Sequence, residues 1–317
     1  MIEVIGVDLG GRNLRAGVVS GNQIINEYRS ERALTRQLGG LDPKAAESLV
    51  ISELLSVLNR LLKDNPDVAS IGLGIPGFID YKTSHIISSP NLPGLQNFDL
   101  ANPIHKALNI PVFVENDALA ACWGEYMQLS AAPAHMAYLG LGTGIGAGLI
   151  LNERPFHGEK GVAMEFGHLV MQPGGRLCGC GNRGCLERYA SASGVSASYA
   201  EHTGRELDAA DIAELAQDGD AAAQTAFEIA GEMLARALVH LVKILDIRMV
   251  VIGGGLTKSW ALIEHRFQTV LDAELLAMHR GRISVDMSRC GDQSGMLGVA
   301  LLATERLRKR GGKPAGK

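Results

Sequence analysis

Apolar residues in the first half of the chain form short β-branched runs, interrupted by one long helical pattern. The runs predict strands at 2–8, 14–19, 24–28, 70–75 and 111–115. Between the third and fourth runs, apolar residues from Leu49 to Leu62 recur on one side of a helix predicted over 45–62. A second helix is predicted from Ala118 to Met127. This order of strands and helices is typical of an α/β domain.

The opening arrangement recurs in the second half of the chain. A strand at 137–141, a glycine loop at Gly142–Gly146 and a strand at 147–151 repeat the strand, Gly-Gly turn and strand at the N-terminus. The pattern beyond them predicts a strand at 249–252 and helices at about 188–201, 220–245, 259–277 and 294–308.

This repetition predicts an α/β fold of two related domains. We expect them to span 1–117 and 118–295, with the C-terminal helix at about 296–310 completing the first. A length of 317 residues fits about two domains, and 46% hydrophobic with 20% charged residues is typical of a globular protein.

The net charge and the two ends of the chain disfavour nucleic-acid-binding, membrane and secreted proteins. A net charge of −4 gives no reason to expect nucleic acid or an anionic membrane as a partner. No apolar run reaches the roughly 18 residues of a membrane-spanning helix. The N-terminus enters a strand without a basic segment, so we expect no signal peptide and a cytoplasmic protein. The basic tail at 306–317 is expected to be solvated, and 311–317 to be frayed.

Three of the five cysteines lie within eight residues, at Cys178, Cys180 and Cys185, and His168 precedes them. Three thiolates and one imidazole form a ligand set that binds zinc tetrahedrally. A disulfide is the alternative, but an odd, crowded trio cannot pair completely, and clustered cysteines fit a reducing compartment better than a disulfide scaffold. Glu165 and Glu187 flank the run, so a metal there would fix two carboxylates in space.

Glycine loops directly follow three of the apolar strands, at Gly10-Gly11, Gly142–Gly146 and Gly253–Gly255. Glycine allows backbone N–H groups to approach a phosphate closely, although a glycine after a strand is more often only a turn. None of these three loops matches the Walker pattern or the G-x-G-x-x-G fingerprint of a strand–turn–helix, which disfavours those two nucleotide-binding folds. Thr143 adds a hydroxyl donor, and Asp8 offers a carboxylate for Mg²⁺ through water.

A candidate catalytic base, Asp117, closes the strand predicted at 111–115. Asp is also common as a helix N-cap residue, and spacing alone does not separate the two roles. Asn116 adds an amide suited to a sugar hydroxyl, and Asn91 lies in a Pro- and Gly-rich turn where Asn is more often a turn residue than a ligand.

Taken together, these motifs resemble the ROK family of sugar kinases, repressors and open reading frames, over nearly the whole chain. The resemblance rests on DLGG at 8–11, GIPG at 74–77, END at 115–117, LGTGIGAG at 141–148, EFGH at 165–168, CGCGNRGCLE at 178–187 and IGGG at 252–255. It implies the two-domain, actin-like (ribonuclease-H-like) α/β fold, in which ATP and sugar meet in a cleft.

The resemblance also implies roles for individual residues. Asp117 is the general base that takes the proton from the sugar 6-hydroxyl. The sugar is held by Gly77, Asn91, Asn116, Glu165, His168 and Glu187. The nucleotide, with Mg²⁺, is held by Asp8, Gly10, Gly11, Arg12, Asn13, Gly142, Thr143, Gly144, Gly254 and Gly255. Structural Zn²⁺ is held by His168, Cys178, Cys180 and Cys185, so His168 would contact both metal and sugar.

The function implied is ATP-dependent phosphorylation of a hexose at its 6-hydroxyl by a homodimer. Glucose is the expected sugar, because GNRGCLERYAS resembles the glucokinase branch. An N-acetylhexosamine kinase and a fructokinase stay open, since the named pocket residues are shared; we expect the segments 84–95 and 156–162 to decide. A repressor is disfavoured, because its DNA-binding domain of roughly 60–80 residues would precede the first strand.

Arg12 departs from the family pattern, which usually has threonine after the two glycines. A threonine hydroxyl there faces the transferred phosphates, whereas arginine is a larger, permanently charged fork. The side chain can point away, pair with phosphate, or fill the γ-phosphate space and pair with Asp8. We expect it to face phosphate and to lower turnover; a sugar-binding protein without activity stays open for the same reason.

Overall fold

The computed structural model describes residues 2–10, 14–30, 34–89 and 91–311. Its strands are β1 (Glu3–Leu9), β2 (Leu14–Ser20), β3 (Gln23–Ser30), β4 (Ser70–Ile75), β5 (Phe78–Asp80), β6 (His85–Ser88), β7 (Gln96–Phe98), β8 (Val112–Asn116), β9 (Met136–Leu141), β10 (Ile145–Leu151), β11 (Arg154–Pro155), β12 (Met249–Gly253) and β13 (Ser284–Met287). Its helices are α1 (Leu34–Leu38), α2 (Pro43–Asp64), α3 (Ala101–Leu108), α4 (Asp117–Met127), α5 (Glu187–Ala190), α6 (Ala192–Thr203), α7 (Ala209–Gln217), α8 (Ala221–Leu245), α9 (Trp260–Glu274) and α10 (Ser294–Gly311).

The chain divides into two compact units. Unit 1 contains Met1–Ala132, Glu153–Ala163 and Arg289–Lys317, and unit 2 contains Pro133–Asn152 and Met164–Ser288. The first boundary thus follows Ala132 rather than Asp117, because α4 packs with the elements of unit 1. The segment Glu153–Ala163 also belongs to unit 1, whereas the sequence-based division placed it in the second domain.

The main sheets of the two units share one pattern. In unit 1, β1 pairs antiparallel with β2 and parallel with β4, and β4 pairs parallel with β8. In unit 2, β9 pairs antiparallel with β10 and parallel with β12, and β12 pairs parallel with β13. The repeated strand, glycine loop and strand of the sequence therefore correspond to the same position in two similar sheets. The carboxyl ends of the parallel strands are where ligands bind in open α/β sheets.

The helix α10 completes unit 1 from the far end of the chain. It packs on β1, β4 and α4. The approach is close because Gly298 faces the backbone of Ala120 and Gly6 faces that of Met296, and a β-carbon at either glycine would overlap with its neighbour. The expectation of a solvated tail from 306 onward was wrong for its first part: α10 extends to Gly311, and the side chain of Arg306 is only 19% exposed. Residues 312–317 of the tail expected to fray lie outside the described residues.

Each unit has its own apolar core. The side chains of β1, β4 and α2 fill that of unit 1, and those of β9, β12 and α8 fill that of unit 2. Among the described residues, no helix has the length and apolarity needed to cross a membrane.

Candidate active site

Asp8 and Asp117 lie at the carboxyl ends of β1 and β8, on either side of Gly74 in β4. A β-carbon at Gly74 would be 3.8 Å from the Cα of Asp117 and 3.9 Å from the Cα of Asp8. The absence of a side chain at Gly74 leaves the two carboxylates facing one space within unit 1. Parallel pairing of β1, β4 and β8 thus joins two residues separated by about a hundred positions in the sequence.

The surroundings of these two carboxylates oppose ionisation. Desolvation raises the pKa of Asp8 to about 7, and the nearby charge of Asp117 adds to the effect. Desolvation also raises the pKa of Asp117, although its Oδ1 accepts a hydrogen bond from the Ala118 N–H at 2.8 Å. A carboxylate with a raised pKa is a stronger base than an ordinary aspartate, which is the property a proton acceptor needs.

Two further residues contact or face Asp8 and were not singled out from the sequence. Arg15 is the cross-strand partner of Asp8 on β2, and its guanidinium binds the carbonyl and carboxylate of Asp292. A β-carbon at Gly295, in the first turn of α10, would lie 2.8 Å from Oδ2 of Asp8. Pairing of the first two predicted strands as a hairpin would have placed Arg15 opposite Asp8. Nothing local in the sequence indicates that Gly295 approaches Asp8.

The turn from β8 to α4 fixes the orientation of Asp117. Asn116, not Asp117, is the N-cap of α4: its Oδ1 accepts from the Leu119 N–H at 2.9 Å. Its amide nitrogen donates to the carbonyl of Gly77 at 3.1 Å. Both ends of the Asn116 amide therefore have protein partners, and the capping role considered for Asp117 belongs to its neighbour.

The other unit 1 residues singled out from the sequence lie in loops. Gly77 has φ of +137°, and a β-carbon there would crowd the backbone of Ser88 and Ser89, so only glycine fits. Asn91 is exposed in the connection between β6 and β7. Gly10 directly follows β1, whereas Gly11, Arg12 and Asn13 lie outside the described residues, as does every expectation about Arg12.

Unit 2 brings two of the glycine loops together. Parallel pairing places Gly253 opposite Gly140, at the carboxyl ends of β12 and β9. Gly254 follows with φ of +88°, packed against the backbone of Leu141 so closely that a β-carbon would overlap with it. Thr143, Gly254 and Gly255 are exposed, and the Gly142 carbonyl accepts from the Ala192 N–H at 2.9 Å. This loop pair offers backbone groups and a hydroxyl of the kind that bind phosphate.

The cysteine cluster has the geometry of a metal site. The ligand atoms of His168, Cys178, Cys180 and Cys185 all lie within 4.8 Å of one another. The Cys180 and Cys185 sulfurs are 3.6 Å apart, and the Cys178 sulfur is 3.6 Å from His168 Nδ1. Tetrahedral zinc with bonds of about 2.3 Å requires edges of about 3.8 Å between sulfurs, so the four residues fit it. A disulfide needs about 2.05 Å, and all five cysteines are free.

Two carboxylates of unit 2 are organised around this cluster. The second ring nitrogen of His168, Nε2, lies 3.7 Å from Oε2 of Glu165, so one ring nitrogen lies at the cluster and the other lies near a carboxylate. Glu187 directly follows the cysteine run, and its Oε2 accepts a hydrogen bond from the N–H of Ile145 at 2.9 Å. Of the residues expected to bind sugar in this unit, His168 thus belongs to the cysteine cluster, Glu165 lies beside His168, and Glu187 contacts the glycine loop.

The chain is similar to known kinases over nearly its full length. It is 29% identical to a glucokinase of Thermotoga maritima over 321 residues, covering 96% of this chain and 98% of that one. It is 30% identical to an N-acetylmannosamine kinase of Yersinia pseudotuberculosis over 303 residues, covering 96% and 99%. The structure of a ROK family glucokinase from Streptomyces griseus in complex with glucose and AMPPNP superposes with a TM-score of 0.80 at 27% identity, covering 96% and 99%.

The model of the ROK family matches residues 4–306. The chain belongs to the ROK family and has the fold of its sugar kinases.

Proposed function

We propose that this protein is a sugar kinase that transfers the terminal phosphoryl group of ATP to the 6-hydroxyl of a hexose, with glucose as the preferred sugar. The observation that carries the proposal is Asp117: a carboxylate at the end of β8, with a raised pKa and a second carboxylate, Asp8, beside it. Phosphoryl transfer needs mainly positioning, charge neutralisation and a modest base for the attacking hydroxyl.

Asp117 is the proposed base. One oxygen is held by the Ala118 N–H, which leaves the other to accept the proton of the sugar 6-hydroxyl as that oxygen attacks phosphorus. The turn that holds Asp117 is braced by the Asn116 cap, so the carboxylate is oriented before substrate binds.

The proposed sugar ligands offer carboxylate, amide, imidazole and backbone groups, which suit hydroxyls. They are Gly77, Asn91, Asn116, Glu165, His168 and Glu187. Glu165 and Glu187 accept hydrogen bonds, and His168 Nε2 is free of the cysteine cluster. A site with such groups discriminates against a sugar that lacks a matching hydroxyl, because a polar group of the site is then left without its partner.

The proposed nucleotide ligands are Asp8, the loop after β1 and the two loops of unit 2. The exposed Thr143, Gly254 and Gly255 are open to phosphate oxygens. Asp8 would hold Mg²⁺, since carboxylate oxygen is the ligand this ion prefers and Asp8 is a buried carboxylate with a second carboxylate, Asp117, nearby. When bound, Mg²⁺ neutralises charge on the phosphates.

Zinc is proposed as a structural ion. His168, Cys178, Cys180 and Cys185 fill a tetrahedral shell and leave no position for a reacting water. The ion would fix the segment that carries Glu187 and the ring of His168.

The second candidate is an N-acetylhexosamine kinase, favoured by the 30% identity to the N-acetylmannosamine kinase. The segments 84–95 and 156–162 are the proposed determinants; Asn91, Phe156 and Val162 are exposed within them. A homodimer also stays a proposal, which light scattering would test.

The test is ADP release measured by a coupled assay with a panel of sugars, namely glucose, mannose, fructose, N-acetylglucosamine and N-acetylmannosamine. We expect the highest kcat/KM with glucose. A preference for an N-acetylated sugar would support the second candidate, and no ADP release with any sugar would contradict both.

A further inference from the structure

Glu115 is a buried carboxylate that none of the proposed catalytic roles uses. Its side chain is 2% exposed, at the end of β8 and two residues before Asp117. Oε2 accepts hydrogen bonds from Nε2 of His157, at 2.9 Å, and from Nη2 of Arg306. Oε1 accepts from the N–H of Asn116 at 3.0 Å. These three hydrogen bonds join the carboxylate to one turn and to two side chains that are distant in the sequence.

The surroundings of the Glu115 carboxylate favour its ionised form. Burial by itself disfavours the charge, but the hydrogen bond from His157 and the charge of Arg306 outweigh it and lower the pKa of Glu115. An ionised carboxylate only accepts, so His157 Nε2 carries the hydrogen of their shared bond. Loss of that donor leaves a buried charge with fewer partners, which is costly.

His157 reaches Glu115 from the segment Glu153–Ala163, which returns to unit 1 for eleven residues only. The imidazole stacks on Tyr81, with ring centroids 4.1 Å apart and an interplanar angle of 20°. Further along the segment, Gly161 has φ of +77° and abuts the carbonyl of Ile79, so a β-carbon there would overlap with it. Two contacts thus hold the segment against β5 and present the imidazole to Glu115.

Arg306 reaches the same carboxylate from α10. Its Nη1 donates to the carbonyl of Val114 at 3.0 Å, and its Nη2 contacts Glu115. The guanidinium is therefore bound to the backbone and to the side chain at the end of β8. Three parts of the chain, near 115, 157 and 306, meet at this point.

The turn that receives these contacts is the one that orients Asp117. The backbone N–H of Asn116 is held by Glu115, and the side chain of Asn116 caps α4 and donates to Gly77. A shift of Glu115 therefore moves the residue before Asp117 and the cap of the helix that Asp117 begins. A misplacement of about 1 Å at a reacting group costs on the order of 100-fold in rate.

We propose that His157 is a positioning residue for the base Asp117, and that it acts by holding Glu115 against the turn between β8 and α4. The proposal rests on the kinase function proposed above. It differs from a stacking or folding role, because it requires the Nε2–H donor and not the ring.

Two substitutions separate these roles. His157→Phe keeps a ring to stack on Tyr81 and removes the donor, whereas His157→Gln removes the ring and keeps an N–H donor at nearly the same distance from the backbone. We expect His157→Phe to lower kcat by about 10- to 100-fold with little change in the KM for ATP, and His157→Gln to stay within about threefold of the original chain. His105→Phe, on the exposed face of α3, is the matched control and should leave kcat unchanged.

The rate of amide hydrogen exchange in the peptide covering 113–121 measures the stability of the same turn without requiring turnover. The variants compared are those that melting curves show to be folded. We expect faster exchange at this peptide in His157→Phe only. Full kcat and unchanged exchange in His157→Phe, or an equal loss of both in His157→Gln, would overturn the proposal. If the original chain phosphorylates no sugar, the kinase function fails, and the exchange data alone still decide whether His157 positions the turn.

Discussion

Glu187 Oε2 accepts a hydrogen bond from the N–H of Ile145 at 2.9 Å. The contact passes directly over Gly144, where a β-carbon would overlap with the same oxygen. The residue that ends the cysteine run thus also holds the glycine loop between β9 and β10. One oxygen of the Glu187 carboxylate is therefore committed to the loop.

Glu187→Gln is expected to weaken sugar binding more than nucleotide binding. The amide oxygen can keep the bond to Ile145, but the amide nitrogen replaces an acceptor by a donor on the side proposed to face sugar hydroxyls. Calorimetric titration with glucose and with a non-hydrolysable ATP analogue gives the two affinities. Equal losses in both would contradict the assigned role.

Gly144→Ala is expected to destabilise the protein by about 0.5–1.5 kcal/mol, since the added methyl displaces the end of the Glu187 side chain and breaks its hydrogen bond to Ile145. Gly142→Ala is the matched comparison, because the nearest atom to a β-carbon there is 3.8 Å away. Denaturant unfolding of both variants checks the difference. Similar stability of the two would show that the Glu187 contact contributes little.

The cysteine cluster is expected to contain one zinc ion per chain. Removal of zinc by a strong chelator should lower the melting temperature and weaken glucose binding together, because the ligands His168 and Cys185 lie in the segment that carries Glu187. Metal analysis of protein purified without chelator measures occupancy, and re-addition of Zn²⁺ should restore both properties. Metal-free protein with full stability and sugar affinity would rule out this role.

Asp117→Asn is expected to raise stability at pH 8. An acid with a raised pKa holds its proton more tightly in the folded than in the unfolded state, so its contribution to the free energy of unfolding declines as pH rises from the unfolded-state pKa to the raised pKa and stays low above it. Asparagine removes the buried charge present at high pH. The gain in melting temperature over the original chain should shrink as pH falls toward 4; a gain that is constant with pH would argue against the raised pKa.

The sequence predicted the elements of the sheets well where apolar runs were continuous. The strand at 70–75 was predicted at its observed bounds, because Ser70–Ile75 is fully buried between β1 and β8. The helix predicted over 188–201 is instead α5 and α6, since Ser191 accepts a hydrogen bond from the Gly194 N–H and begins a new helix. The sheet of β5, β6 and β7 was missed, because strands of three or four residues carry little periodicity.

The candidate site was predictable where its residues belong to short motifs. Asp117, His168 and the cysteines could be named from local sequence together with the family resemblance. His157 and Arg306 could not, because their shared partner Glu115 is joined to them only by folding, across 42 and 191 positions. Gly295 could not be named from the sequence either. Its lack of a side chain leaves space for Asp8, and the sequence around Gly295 does not indicate that Asp8 lies there.

One experiment measures both whether the chain forms glucose 6-phosphate and whether Asp117 acts as the base. Glucose and MgATP are incubated with the original chain and with Asp117→Asn, and the products are followed by ³¹P NMR. We expect glucose 6-phosphate and ADP with the original chain, and formation of both about 10²–10⁴-fold slower with a folded Asp117→Asn that still binds glucose. Formation of no sugar phosphate by the original chain, or equal rates for both proteins, would contradict the proposed kinase function with Asp117 as its base.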